Sequence, residues 1–221
     1  MPSPPSSTNS NQSDQPDPAH LGSVSRIYKL QKTCFQRHYE VLGPSEQVDF
    51  HAEIVLLSLH KPDIILHAGG SKDGAVVAAC KFLKLSGAYK VCLGDPNDPV
   101  NNQWEDMTKE TIRGSQYRFE LSLGEGRRAF LWKRTRNVAV DGLSISALGS
   151  RNYKLVDEAT GELLAVFTSQ RTYRNCGTLQ ISADLGQKFD MMVMVSCISL
   201  YEKARRRNRR SAAGGGGGGG S

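Results

Sequence analysis

The sequence predicts a β-rich domain, an antiparallel barrel or sandwich, with one wholly apolar helix near its C-terminus. Three observations predict it. Short β-type runs bounded by turn residues fill most of residues 27–182. No helical periodicity alternates with those runs, which argues against a parallel α/β sheet. The stretch from Phe189 to Tyr201 carries no polar stripe, and a helix apolar all round is either buried or in a membrane.

The candidate strands, in order, are 27–32, 37–42, 50–59, 63–68, 75–83, 89–93, 117–123, 129–134, 153–157, 163–169 and 178–182. Gly43-Pro44, Lys61-Pro62, Gly69-Gly70, Gly87, Gly94-Asp95-Pro96, Gly149 and Thr160-Gly161 separate them. Two hairpins are explicit. Tyr117, Phe119 and Leu121 alternate with polar Arg118, Glu120 and Ser122, the chain turns at Gly124-Glu125-Gly126, and Phe130 and Trp132 resume one face. Tyr153 to Asp157 passes through Glu158-Ala159-Thr160-Gly161 into Leu163 to Phe167. Ile54-Val55-Leu56-Leu57 is apolar on both faces and reads as covered on both. Trp104 to Ile112 reads equally as a helical turn or a strand.

The helix starts near Gly186 and is placed at 187–206. Its apolar part is about 13 residues, which at ~1.5 Å per residue spans about 20 Å. That falls short of a ~30 Å hydrocarbon core, so burial is expected and no transmembrane segment. Phe189, Met192, Val193, Cys197 and Leu200 form the expected core of this helix, with Met191 and Met194 filling gaps against the wall.

The ends differ in composition. Residues 1–22 are rich in Pro, Ser, Asn and Gln, and 211–221 are almost entirely Gly and Ala. Both are expected to be disordered, leaving 23–210 as one domain. The first segment lacks the basic start and apolar core of a secretory signal. The five cysteines, Cys34, Cys80, Cys92, Cys176 and Cys197, are odd in number, and Cys80, Cys92 and Cys197 lie in apolar runs. An intracellular, reducing compartment, cytoplasmic or nuclear, is the simpler expectation.

The formal charge is +6, and its placement is informative. Lys203, Arg205, Arg206, Arg207, Arg209 and Arg210 supply six positive charges; the remaining 22 basic residues equal the 22 acidic ones. The excess therefore belongs to one short stretch after the helix, where cations also complement the negative end of the helix dipole. These six are the candidate anion-binding or nuclear-import residues, read alternatively as a solvated helix end; replacing the five arginines with glutamine is expected to leave the melting temperature nearly unchanged, apart from ~0.3–1 kcal/mol of helix-dipole compensation. Anionic phospholipid, an import receptor or nucleic acid are the partners such a segment suits.

Other motifs weigh less. Gly124-Glu125-Gly126-Arg127-Arg128-Ala129 fits the loose dinucleotide pattern, but a strand follows where a helix is needed. Gly69-Gly70-Ser71-Lys72-Asp73-Gly74 lacks the Gly-Lys-Ser/Thr ending of a phosphate loop. Gly142-Leu143-Ser144-Ile145-Ser146 misses the last glycine of a nucleophile elbow. His51, His60 and His67 lack metal-ligand spacing, and Cys34 with His38 has no orienting third group. Asp95, Asp98, Glu105 and Asp106 read as turn chemistry, because Pro96 and Pro99 break a calcium-loop spacing. No catalytic residue, cofactor or metal site is expected, and the chain reads as a non-enzymatic module.

A β-shell followed by one apolar helix resembles the tubby C-terminal-like superfamily, which includes tubby domains, phospholipid scramblases and plant LURP-one-related proteins. Within it, the chain resembles an uncharacterised filamentous-fungal branch. The likeness rests on Asn152 to Asp157, Thr160 to Phe167, Phe189 to Val193, Leu200 to Arg207, Leu93-Gly94-Asp95-Pro96 and Phe130 to Arg134, within roughly residues 25–208. It implies a closed antiparallel barrel of about twelve strands around the C-terminal helix. For function it implies binding of anionic phospholipid head groups at a membrane surface. The alternative is a nuclear or cytoplasmic interaction scaffold that uses the basic segment for import or nucleic-acid contact. The resemblance carries no site residue over to this chain.

Overall fold

Twelve strands pair with their sequence neighbours, and the last pairs with the first. The computed structural model describes residues 25–32, 37–56, 61–112, 114–124, 126–144, 151–170, 172 and 174–214. The strands are β1 (Arg26–Gln31), β2 (His38–Leu42), β3 (Val48–Ile54), β4 (Ile64–Ala68), β5 (Val76–Phe82) and β6 (Tyr89–Leu93). They continue as β7 (Gln103–Lys109), β8 (Gln116–Leu123), β9 (Gly126–Arg134), β10 (Tyr153–Asp157), β11 (Leu163–Ser169) and β12 (Asn175–Ile181). All pairings are antiparallel and the sheet closes through β1 and β12 into a barrel, so none of the described strands is left with an unpaired edge. Register shifts at Leu30/Gln31, Val41/Leu42, Leu66/His67 and Leu155/Val156 supply the local bends that closure needs.

The segment left open between helix and strand is strand β7. Its Glu105 and Met107 turn inward while Trp104, Asp106 and Thr108 are exposed, an alternation of period two. In β8, Tyr117, Phe119 and Leu121 are buried between half-buried Arg118 and Glu120, as the pattern of that hairpin requires. The outer faces of β11 and β12 are covered by the chain that follows β9: Val140 N donates to Thr168 Oγ1 and Asp141 N to Gln180 Oε1. Cover on both faces therefore falls here and stops short of Leu56, which is exposed; Leu57 lies outside the described residues.

The helix α1 (Gln187–Gly214) occupies the barrel interior. Every residue from Met191 to Glu202 is buried: Val193, Cys197 and Leu200 share one face at i, i+4 and i+7, and Met192, Met194 and Val195 bury the others. Its contacts come from opposite walls. Phe189 meets Phe130 of β9, and Tyr201 meets both Tyr39 of β2 and Phe167 of β11. The two buried polar side chains within its apolar part are satisfied. Ser196 Oγ accepts from the indole Nε1 of Trp132 at 2.9 Å, and Ser199 Oγ donates back to the Val195 carbonyl. The helix continues past the expected stop near residue 206, because Arg205 to Ala213 contains no breaker and several strong helix formers. The basic stretch is thus the last turns of a helix anchored in the core.

Candidate anion-binding site at the mouth of the barrel

In an up-and-down barrel, successive loops lie at alternate ends. The loops after β1, β3, β5, β7, β9 and β11 share one end with the C-terminal turns of α1. Among the described residues, those loops carry Lys32, Arg37, Lys61, Lys84, Arg136, Arg151 and Arg174 against Asp63, Glu110 and Asp141. The opposite loops, with the β12–α1 connection, carry Glu46, Asp73, Asp95, Asp98, Glu158, Glu162 and Asp184 against Lys72. The neutral body is therefore electrically polarised, and the six helix cations add to its positive end.

A cavity of about 510 Å³ opens at that end, between the helix and the rims of β5 to β10. Its size lies within the ~300–1,000 Å³ range of small-ligand sites. Phe82, Tyr89, Tyr117, Tyr153 and Leu200 give it apolar surface. Lys84, Lys109, Arg134, Lys203, Arg206, Arg207 and Arg210 line it, with Asp63 the one carboxylate. Gly114, in the turn before β8, has φ +62°, and a Cβ there would sit 2.8 Å from the Tyr117 hydroxyl. A side chain at that position would crowd the rim.

The cations divide into two groups. Some are held by the protein itself. Glu202, 1 % exposed at its side chain, accepts from Tyr39 Oη, from Arg205 Nε at 2.8 Å and from Arg206 Nε at 2.9 Å. Burial pushes its carboxyl up, but the bonds from Arg205, Tyr39 and Arg206 outweigh it and keep the pKa below the ordinary value. Arg206 Nη1 also donates to Asp63 Oδ1 at 2.9 Å, tying the helix to the β3–β4 loop. Lys203 Nζ donates to the Gly87 carbonyl and lies 4.0 Å from the Tyr89 ring centroid. Burial lowers its pKa to about 8. Lys32, over the Tyr39 ring at 4.5 Å, is likewise lowered to about 8 by burial.

The second group is unpaired. Among the described residues, Lys84, Lys109, Arg207 and Arg210 make no side-chain hydrogen bond or ion pair while facing the cavity. Two buried guanidinium nitrogens, Arg134 Nε and Arg206 Nη2, also lack partners. A chamber with unsatisfied donors, excess positive charge and an aromatic floor suits a group with several anionic oxygens. Among the described residues no cluster of His, Cys, Asp and Glu can hold a metal ion.

All six sequence-selected cations thus lie at one mouth, with different roles. Lys203, Arg205 and Arg206 are structural as well as basic; for Arg205 and Arg206 the bonds to Glu202 and Asp63 run against the expected near-neutral replacement by glutamine. Arg207 and Arg210 face the cavity, and Arg209 lines the neighbouring groove. The contribution of Lys84, Lys109 and Arg134 was missed, because each lies far away in sequence and only closure of the barrel brings it to the helix.

The weaker motifs fall as follows. Leu123 pairs with Gly126, so a strand and not a helix follows the glycines. Residues 69–75 form the β4–β5 loop. Asp98 Oδ1 accepts from Val100 N and Asn101 N, while buried Glu105 pairs with Arg127, so the acidic residues do not converge. Cys34 and His60 lie outside the described residues. Strand pairing does bring His38, His51 and His67 into one file on the outer wall, with ring centroids 4.3 and 6.0 Å apart; no spacing in the sequence signalled that.

No protein-family profile and no curated protein matches the chain. Among solved structures it is similar to an Arabidopsis thaliana protein known from its X-ray structure. The identity is 10 %, the TM-score 0.48, and the match covers 81 % of this chain and 93 % of that one. The closed twelve-strand barrel around a helix stands on the geometry above. No helix among the described residues is long and apolar enough to cross a membrane.

Proposed function

We propose that this chain is a non-enzymatic binding module of tubby C-terminal-like type, whose barrel mouth holds an anionic phospholipid head group. The observation that carries the reading is the cavity of about 510 Å³ lined by seven cations and one carboxylate. Four of those cations, Lys84, Lys109, Arg207 and Arg210, have no partner of their own among the described residues. The surrounding loops add to the same sign of potential, which steers the mouth toward a negative surface. The alternative, an import or nucleic-acid-contact segment, draws less support, because Arg205 and Arg206 are already bound to Glu202 and Asp63.

Co-sedimentation with phosphatidylserine-containing vesicles tests the reading. The triple variant Lys109→Glu, Arg207→Glu, Arg210→Glu removes cavity cations without touching Glu202 or Asp63. It should lose most vesicle binding and stay folded, with only the small fall in melting temperature that losing cations at the helix C-terminus brings. Undiminished binding by the folded variant would sink the proposal.

A further inference from the structure

The same mouth carries exposed apolar side chains. Leu85, at the tip of the β5–β6 loop, is 104 % exposed, and Ile112, on the β7–β8 loop, is 96 % exposed. Leu56, on the β3–β4 loop, is 47 % exposed. Isolated exposed leucines need no explanation, but these three occupy successive loops at one end of the barrel. Ile112 lines the basic cavity itself. Leu56 and Leu85 line an adjoining groove of about 1120 Å³, which shares Phe82, Leu83 and Arg210 with that cavity. Cations at the level of the cavity, with apolar tips beside them, match the order of layers in an anionic leaflet: charged head groups first, hydrocarbon beneath.

We infer that the protein docks mouth-first on an anionic bilayer, with Leu85 and Ile112 inserted below the head groups that the cations contact. This rests on the head-group reading above and adds to it the insertion of named loop tips and the orientation of docking. A soluble phosphate would use the cavity but leave the loop tips in water. Among the described residues, the remaining highly exposed aliphatic one, Val100 at 84 %, lies at the opposite end beside Asp98 and provides an internal control.

The test uses the full chain and vesicles of phosphatidylcholine with and without phosphatidylserine. Burying a large aliphatic side chain contributes enough for at least about tenfold in affinity. Leu85→Asp and Ile112→Asp should therefore each weaken binding to the anionic vesicles by about tenfold or more, and Val100→Asp should not. Tryptophan introduced as Leu85→Trp or Ile112→Trp should be quenched by lipids brominated in their acyl chains, above the wild-type background from Trp104 and Trp132. Val100→Trp should show no such excess. If Leu85→Asp and Ile112→Asp bind like wild type and the introduced tryptophans are not quenched, insertion is wrong while the head-group reading stands. If soluble glycerophosphoserine binds as tightly as the vesicles do, the bilayer is not the partner. If the charge-reversed triple variant binds fully, the head-group reading fails and the inference with it.

Discussion

Replacing Glu202 with glutamine removes the one buried charge that holds the basic turn of the helix against the barrel. Breaking a fully buried ion pair costs ~3–5 kcal/mol. Here the estimate must be reduced, since the Arg205 and Arg206 side chains are 18 % and 23 % exposed and Arg206 keeps Asp63. A cost of about 2–3 kcal/mol remains, part of it from an amide NH₂ forced toward the donors of Tyr39, Arg205 and Arg206. For a chain of this size, each kcal/mol lowers the melting temperature by ~2–4 °C. Glu202→Gln should therefore lower it by about 4–12 °C in thermal unfolding followed by circular dichroism. The pH dependence adds a second reading. Glu202 has a folded pKa below its ordinary value, so its stabilisation is complete above about pH 4.3 and is lost as pH falls through the lower folded value. The variant should lose that part of the wild-type acid sensitivity. A melting temperature unchanged at neutral pH, with the same acid limb, would refute the latch and with it the assignment of Arg205 and Arg206 to structure.

Two further outcomes follow from the interior and the mouth. Val193→Asp should prevent folding, because Val193 is fully buried in a helix with no polar face to rotate outward; a soluble variant with native near-UV circular dichroism would contradict the buried helix. Lys203 should titrate near pH 8 by NMR of its side chain, and a bound anion in the cavity should move that titration upward. Since the folded value lies below the ordinary one, the wild type should gain stability as pH rises from about 8 toward 10.5. Lys203→Met should lose its share of that gain and keep the share from Lys32.

The fold was legible in the sequence because its two signals are local. Alternation in Tyr117-Arg118-Phe119-Glu120-Leu121 fixes a half-buried strand, and the unbroken apolar run to Tyr201 fixes a helix that something must surround. β7 resisted reading because its outward Trp104 and inward Glu105 invert the usual burial of their residue types; Glu105 is tolerated inside through Arg127 and the Gln103 amide. The site was half legible. Lys203 to Arg210 is contiguous and announces itself, whereas Glu202, one position earlier, gives no hint that it binds two of those arginines and the Tyr39 hydroxyl. Lys84, Lys109 and Arg134 join the site across three different strand pairs, information that resides in topology alone.

Topology also explains how a chain neutral outside six residues has a positive end. In an up-and-down barrel the parity of a loop decides its end, so charge counted over the whole body cancels while charge counted over alternate loops does not. The helix then sets its own dipole within this arrangement, its positive N-terminus among Asp184 and Asp190 and its negative C-terminus among the arginines. Each end thus stabilises the helix that fills the barrel, and the same distribution orients the molecule in an external field. The cations that complement the helix are therefore in place to meet an anionic surface before any ligand arrives. Raised salt should weaken that approach by screening, while contacts made by Leu85 and Ile112 within hydrocarbon should persist. A bound state that is slow to form yet slow to leave at high salt is the kinetic signature of charge that steers and apolar tips that hold.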